Sequence, residues 1–349
     1  MPASVSLRLC LRVRYLLVLI SALCAVEVLG WGCTGHMVLA EIARRQLDPS
    51  NEKKIQAMAM KFKESGPFLL SPDMIQAACW PDDVKRWGQD AMSTWHYNAM
   101  QYNPDGINIT DSVEAVNAVS VSLDMITSLS NVKSPLYMLN FAWVYLVHLI
   151  GDLHQPLHAV SRYSEKYPHG DRGGNLVWVR VQKKMLRLHA FWDNICTATP
   201  VLYRRPLSST GLLAISEMAD RLLKTYSFSS DLKTMQDVQR MANESYAFAV
   251  NSSYADMIPG TTLSAAYISR CVEVAESRLT LGGYRLGYIL NKLLLDIDVD
   301  ENVMKAYSAA VLKRGATGTH GQQAGKGSCL HAHGCMSDSA TESVGDLMI

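Results

Sequence analysis

The chain carries two histidine–aspartate pairs at a spacing of four, His148 with Asp152 and His189 with Asp193. On a helix that spacing puts both side chains on one face. A single pair of this kind is more often a surface contact than a metal site. Both pairs here lie in segments rich in Leu, Trp and Val. A buried imidazole or carboxylate there needs a partner, and a cation that binds several at once supplies one. His158 follows His148 by ten residues, past Pro156, which turns the chain. Asp82 in Cys79-Trp80-Pro81-Asp82-Asp83 and His96 in Trp95-His96-Tyr97 are flanked by aromatic rings that would exclude water. Each alone is more often a cap, turn or core residue. Imidazole and carboxylate donors without thiolate favour zinc or a similar divalent ion over an iron–sulfur centre. Ligand type leaves manganese and magnesium open, although this many imidazoles argues against magnesium.

The first thirty residues bear on that chemistry. Arg8, Arg12 and Arg14 precede an apolar run from Tyr15 to Val26, and Val28 and Gly30 suit a signal peptidase, so Met1–Gly30 reads as a cleaved signal peptide. About a dozen apolar residues are short for a bilayer span of ~20. Cleavage after Gly30 leaves Trp31 with a free α-amine, five residues before His36. Such an amine, with a pKa of about 7.7–8.0, loses its proton near neutrality, and a metal promotes the loss. The amine and carbonyl of Trp31 then form a chelate ring that His36 completes. Taken by itself, Trp31 is simply an aromatic residue at the start of the mature chain.

With 349 residues, 48% hydrophobic and 19% charged, the composition suits one sizeable globular domain. The expected organisation is a signal peptide over 1–30, a catalytic domain over 31–312, and a Gly/Ser/Ala-rich tail over 313–349. Without the leader the chain holds 30 basic and 31 acidic residues. That balance excludes capture of a polynucleotide by broad basic attraction, so phosphate binding would draw on metal charge. Cys33, Cys79, Cys196, Cys271, Cys329 and Cys335 remain after cleavage. An even count in an exported chain suggests three disulfides with 15 pairings open. No CxxC pair is present, which argues against a thiolate zinc site. Cys329 and Cys335, around His331 and His333, suit a small disulfide loop better than a metal tract. Cys33 and Cys79 flank proposed ligands, which makes them one candidate pair. Asn108, Asn243 and Asn251 begin N-glycosylation sequons. No later stretch is long and apolar enough to span a bilayer. A soluble monomer in the secretory pathway, secreted or lumenal, is expected.

Most of the mature chain reads as helix. Val38–Leu47 is amphipathic. Asp111 could cap a helix running to Leu129, with Glu114 in the capping-box position. Ser134-Pro135 opens a long apolar helix that carries His148 and Asp152 and ends before Pro156. Leu176–Val181 and Met185–Leu188 alternate as a small hairpin. Helices return at Ala190, over Leu212–Thr225 and Leu232–Val250, and from Ser264 to Leu295. His154, six residues from His148 and two from Asp152, should point away from their common stripe.

Several ordered segments then resemble the class I nucleases: the fungal and plant single-strand-specific enzymes, and especially the trypanosomatid 3′-nucleotidase/nucleases. These are Trp31-Gly-Cys-Thr-Gly-His36, Trp80-Pro-Asp82, Trp95-His96-Tyr97, His148-Leu-Ile-Gly-Asp152-Leu-His-Gln-Pro-Leu-His158, Asp171-Arg-Gly-Gly-Asn175, His189-Ala-Phe-Trp-Asp193 and Gly283-Tyr-Arg-Leu-Gly287. The resemblance implies a mainly α fold, shared with zinc-dependent phospholipase C and carrying a small β-hairpin. It also implies three Zn²⁺. Asp82, His96, His148 and Asp152 would bind the first, Trp31 and His36 the second with Asp152 shared, and His158, His189 and Asp193 the third. Three divalent ions against three carboxylates leave the cleft about +3 for phosphate.

The activity implied is hydrolysis of single-stranded RNA or DNA to 5′-phosphate products, together with removal of the 3′-phosphate from 3′-nucleotides. Asp82 and Asp152 would serve catalysis as metal ligands. Lys85 stands where relatives often place an arginine that stabilises transition-state charge; a solvated surface lysine is the plainer alternative. Tyr97 stands where relatives stack a base, a contact worth about 1–3 kcal/mol that tolerates sequence. Fungal relatives carry a base-contacting carboxylate at the position of Ala99, so base preference stays open. Asn175 could orient ligands or phosphate, or simply close a turn after Gly173-Gly174. Phospholipase C-type hydrolysis and a catalytically inactive zinc-binding protein are the alternatives.

Overall fold

From Ala142 to Asp152 every residue of helix Leu136–Asp152 is buried. A helix that is apolar all round belongs inside a domain, and this one forms the axis of the fold. The computed structural model describes residues 31–312 apart from 65–69, 87–89, 132, 198, 200, 202, 301, 302, 307, 310 and 311. Helices Ala118–Ser130, Pro49–Glu64 and Trp80–Arg86 pack on the central helix. A second layer is built where helix Ala265–Leu294 lies along helix Cys33–Arg44, which also packs on Ser209–Thr225. That contact depends on glycine. A Cβ at Gly283 would stand 2.4 Å from Ile42 Cγ2, and one at Gly287 would stand 2.5 Å from Gln46 Cβ. The expected mainly helical architecture is therefore the one observed.

Two small sheets complete it. Strands β3 (Trp178–Val181) and β4 (Lys184–Arg187) form the expected hairpin, with Trp178 opposite Arg187 and Arg180 opposite Met185. Strands β1 (Met100–Tyr102) and β2 (Val160–Arg162) pair in parallel. Three residues are too few to display an alternation in sequence, so this pair was not anticipated.

Several boundaries differ from expectation. Asp111 caps no helix. Asn117 does so instead, its side chain accepting from the backbone of Val119 and Ser120 in a capping box with Ser120. The Asp111 carboxylate lies 3.2 Å from His169 Nδ1. Pro135 is itself the extended cap of the central helix, and Ser134 Oγ donates back to the Ser128 carbonyl. The expected Leu232–Val250 helix is split: a turn over Ser230–Lys233, then a helix from Val238 to Phe248 capped by Asp237, then a wider π-turn over Ala249–Ser253. Two disulfides join described residues, Cys33–Cys79 and Cys196–Cys271. Cys329, Cys335 and the rest of residues 1–30 and 313–349, where the signal peptide and tail were expected, lie outside the described residues. Among the described residues no helix is long and apolar enough to cross a membrane. Asn108, Asn243 and Asn251 are all exposed.

A polar clamp fixes the long helix to the central one. Arg278 and Arg285, both buried, donate to Glu244 at 2.9 Å and at 2.7 and 3.0 Å. Arg285 also reaches His154 Nε2 at 3.1 Å, while His154 Nδ1 faces the Ile150 carbonyl at 2.7 Å. Burial, and then the two guanidinium groups, hold His154 far below the usual imidazole range. Its lone pair therefore serves the clamp. Burial alone would raise the Glu244 carboxyl, but hydrogen bonds from Arg285 and Arg278 outweigh it and hold the group below its ordinary 4.5. The stability this gives is present above that pH and is lost as pH falls through the depressed folded value. Glu244→Gln is expected to destabilise the protein by about 2 kcal/mol, since it leaves two buried cations underpaired. Denaturant unfolding followed at pH 7 and pH 4 should show the gap between wild type and variant narrowing in acid; a constant gap would contradict the clamp's ionic character.

Candidate metal centre

Eight donors enter the cleft from six elements. His36 comes from helix Cys33–Arg44, Asp82 from Trp80–Arg86, and His96 from the end of the 3-10 turn Asp90–His96. His148 and Asp152 lie one turn apart on the central helix, His158 on the turn Pro156–Ala159, and His189 and Asp193 on helix Leu188–Asp193. All eight side chains are buried, from 0 to 5% exposed. Three clusters result, each with donor atoms within 4.8 Å of one another: His36, His148 and Asp152; Asp82, His96 and His148; His158, His189 and Asp193.

Distances within the first two clusters are short. Asp152 Oδ2 stands 3.1 Å from both His96 Nδ1 and His148 Nε2, and Asp152 Oδ1 stands 3.3 Å from His36 Nε2. Asp82 Oδ1 lies 3.6 Å from His96 Nδ1 and 3.7 Å from His148 Nε2. One carboxylate, Asp152, thus faces four imidazoles, since His158 Nδ1 also lies 3.8 Å from its Oδ1. Asp83, next in sequence, is taken by Arg205 at 2.6 and 2.8 Å, which leaves Asp82 alone to face the cleft. Helix Cys33–Arg44 comes so close that a Cβ at Gly151 would lie 2.8 Å from His36 Nδ1. Trp31 is fully buried beside Gly35 and Gly151. The Gly32 N–H donates to the Asp193 carbonyl at 2.8 Å, so the N-terminal segment spans from His36 to the third cluster.

Backbone carbonyls decide which imidazole nitrogen faces inward. His148 Nδ1 meets the Ala78 carbonyl at 2.7 Å, His189 Nδ1 the Gly173 carbonyl at 2.7 Å, and His158 Nδ1 the His96 carbonyl. A carbonyl only accepts, so each Nδ1 carries the proton and each Nε2 presents a lone pair. His158 Nε2 and His189 Nε2 then face each other at 3.0 Å. Two lone pairs at that distance require a positive charge between or beside them. Among the described residues, the fully buried His36 finds no hydrogen-bond partner at either ring nitrogen, and neither do His96 Nε2 and Asp152 Oδ1. Burial first, and then His148, lower the His36 pKa to about 4. Burial and then Lys85 lower that of His96 to about 3. Burial raises Asp193 far above the usual carboxylate range despite a hydrogen bond from Gln155. Neutral imidazoles beside carboxylates in a dry site form a donor set that fits divalent cations with nitrogen and oxygen ligands.

Lys85 is no solvated surface residue: its side chain is 9% exposed, and Nζ lies 2.8 Å from Asp82 Oδ1. Tyr97, Ala99 and His189 line a cavity of about 390 Å³ together with Asp111, Glu114 and Arg172. Tyr97 therefore borders the third cluster. Asn175, 2% exposed, donates from Nδ2 to the Arg172 carbonyl at 2.9 Å. It closes the turn whose Gly173 carbonyl orients His189. A Cβ at Gly173, where φ is +60°, would sit 2.3 Å from the Leu157 carbonyl oxygen, so the turn needs glycine on both counts. Gln155 was not singled out from sequence. It is buried and donates to Asp193 Oδ1 at 2.6 Å; its only signal was a long polar side chain between His154 and Pro156.

Comparison with known proteins agrees with this geometry. Residues 31–295 match the sequence model of the S1/P1 Nuclease family. Endonuclease 2 of Arabidopsis thaliana is 28% identical over 291 residues, covering 77% of this chain and 92% of the relative. Endonuclease 4 of Arabidopsis thaliana is 27% identical over 285 residues, covering 75% and 89%. Nuclease S1 of Aspergillus oryzae is 26% identical over 275 residues, covering 74% and 89%. With most of its length matched by one family and its buried His/Asp clusters falling inside the matched region, the chain belongs to the S1/P1 nuclease family.

Proposed function

We propose that this phosphoric ester hydrolase is zinc-dependent, that it cuts single-stranded RNA and DNA to leave 5′-phosphates, and that it also removes the phosphate of 3′-nucleotides. The observation that carries the zinc reading is the pair of inward lone pairs on His158 and His189, 3.0 Å apart in a buried cleft. Asp82, His96, His148 and Asp152 would hold one ion. His36 with the amine and carbonyl of Trp31 would hold a second, sharing Asp152, and His158, His189 and Asp193 a third. Zinc bound in this way polarises phosphoryl oxygens and makes water a competent nucleophile at neutral pH.

The chain's own residues do the rest. The carbonyls of Ala78, His96 and Gly173 hold three imidazoles in one tautomer, so no reorientation is needed during reaction. Lys85 stands beside Asp82, where its ammonium can offset charge developing on the phosphoryl group. Tyr97 offers a ring at the mouth of the cavity next to His189. A base stacks there only once it has left its partner strand, which favours single strands. The catalytic domain would span 31–312, between a signal peptide over 1–30 and a tail over 313–349. Two disulfides and three exposed sequons support an oxidising, secretory location, and the enzyme would act there as a monomer.

Treatment with a strong zinc chelator should abolish cleavage of single-stranded RNA, and added Zn²⁺ should restore it. Full activity in protein shown by elemental analysis to be metal-free would remove the zinc reading. Hydrolysis of 3′-AMP and phosphatidylcholine should be measured in parallel, since activity on lipid alone would point to a phospholipase. Lys85→Met should lower kcat by roughly a hundredfold with KM little changed, within the range for losing one charge-stabilising donor, and Lys85→Arg should recover part of it. A wild-type kcat in Lys85→Met would make Lys85 a structural partner of Asp82 only. One Ala inserted before Trp31 should impair both zinc content and activity while circular dichroism stays unchanged. Retained zinc and activity, with the extra Ala confirmed by mass spectrometry, would argue against the terminal amine as a ligand.

A further inference from the structure

Helix Leu188–Asp193 carries two donors of the third cluster, His189 and Asp193, yet it has only six residues and no side-chain bond at its N-cap. A helix that short has little stability of its own, so both donors must be placed by what surrounds it. The contacts that place them converge on one segment. Helix Val238–Phe248 widens into a π-turn over Ala249–Ser253, and Tyr254 closes that turn. Turns of this kind are rare and occur often at functional sites. Two hydrogen-bonded paths leave this one, and each ends beside a donor.

The first path starts at Tyr254, which is buried. Its hydroxyl donates to the fully buried Asp171 carboxylate, 2.8 Å from Oδ2 and 3.0 Å from Oδ1. Asp171 Oδ1 also accepts from the Arg162 N–H at 2.9 Å. Arg162 ends strand β2, which continues from the turn that carries His158. Past Asp171 the backbone is left-handed at three successive residues, Arg172 (φ +55°), Gly173 (+60°) and Gly174 (+81°). A residue with a side chain disfavours that conformation, so at Arg172 the turn needs holding from outside, and Asp171 holds it. The carbonyl of Gly173 is the acceptor that orients His189.

The second path starts at Ser253, also fully buried. Its carbonyl accepts from the Tyr267 hydroxyl at 2.6 Å, and the Tyr267 oxygen accepts from Trp192 Nε1–H at 3.0 Å. Trp192 immediately precedes Asp193. One turn beyond Tyr267 on the same long helix, Cys271 is bridged to Cys196, three residues after Asp193.

We propose that Tyr254 and Tyr267 are positioning residues for the third metal ion, fixing the two ends of helix Leu188–Asp193 through Asp171 and Trp192. Tyr254 sets the carbonyl that aims His189, and Tyr267 sets the turn that presents Asp193. The plainer reading is two core tyrosines with satisfied hydroxyls. It does not explain why both hydroxyls act on opposite ends of one short, donor-bearing helix. The proposal rests on the zinc reading of His158, His189 and Asp193 given above.

Tyr254→Phe and Tyr267→Phe each remove one oxygen and keep the ring, so the core stays filled. Zinc content is measured after dialysis of each purified protein against buffers of graded free Zn²⁺. Each variant should release one ion at about tenfold higher free Zn²⁺ than wild type, the lower end of the effect of losing an outer hydrogen bond. The other ions should be held as in wild type. Cleavage of single-stranded RNA should fall in zinc-limited buffer and return when Zn²⁺ is raised, which lost stability alone would not produce. Tyr226→Phe is the control, because its hydroxyl bonds Glu276 instead. Histidine NMR of the protein as isolated adds a readout independent of activity. In Tyr254→Phe the His189 Nδ1–H should exchange with water about fivefold faster, while the His148 Nδ1–H, bonded to Ala78, stays unchanged. Wild-type zinc retention in either variant would overturn the proposal for that tyrosine. Loss of all ions together, or equal release from Tyr226→Phe, would overturn it for both, since either marks general damage. A wild-type protein that binds no zinc would defeat the zinc reading instead, and His189 exchange would still decide whether Tyr254 fixes that ring.

Discussion

Two imidazole nitrogens that both carry lone pairs cannot sit 3.0 Å apart in a dry cavity unless positive charge joins them. His158 and His189 are held in that position by carbonyls from elsewhere in the chain, His96 for one and Gly173 for the other. His148 is fixed in the same way by Ala78, and faces Asp152 and Asp82. The protein thus uses backbone acceptors from three separate segments to keep Nε2 of each imidazole turned inward. An uncompensated cluster of this kind costs several kcal/mol, so the fold makes sense as the shell of a cation site. The central helix, the glycine turn at Gly173-Gly174 and the Cys33–Cys79 bridge all serve that end. The bridge joins the helix that carries His36 to the segment that carries Asp82.

His154 clarifies what position alone can do. It lies two residues from Asp152 and is as deeply buried, yet it faces Arg285 rather than the cleft. Two residues at helical geometry turn the side chain by about 200°, a little over a half-circle. The same residue type therefore serves as a candidate metal donor on one side of the chain and as an acceptor in a cationic clamp on the other. The clamp has its own consequence for the site: Arg278 Nε also reaches the His154 carbonyl at 3.4 Å and Ser245 donates to that of Leu153 at 2.6 Å. The end of the helix that carries Asp152 is held from behind.

Much of this was legible in the sequence because it depends on short-range rules. The i,i+4 spacing alone pairs His148 with Asp152 and His189 with Asp193. The apolar run of the central helix and the late helix that carries Gly283 and Gly287 were equally plain. What sequence could not supply was long-range choice. Nothing in Asp82-Asp83 says that Arg205, more than a hundred residues away, neutralises the second and leaves the first to the cleft. Asn117 displaced Asp111 as a helix cap because the local sequence offered both residues a capping role, and only the path of the chain decided between them. The parallel pair of β1 and β2 joins segments some sixty residues apart and is three residues long, below the length at which alternation can be recognised. Gln155 was missed because a buried glutamine leaves no periodic trace; its partner, Asp193, lies 38 residues on.

Charge placement ties these observations together. A near-neutral chain has little long-range attraction for a polyanion and avoids indiscriminate binding to one. It can still hold phosphate if positive charge is concentrated where reaction occurs and screened from solvent, where each charge acts over a lower effective dielectric. Buried donors that gather divalent cations meet that condition, with Lys85 adding a fixed ammonium at the edge. Exposed cations on the hairpin differ from these, since salt screens them within about 8–10 Å. A site organised in this way would draw its hold on phosphate from the cleft rather than from the charge of the chain as a whole.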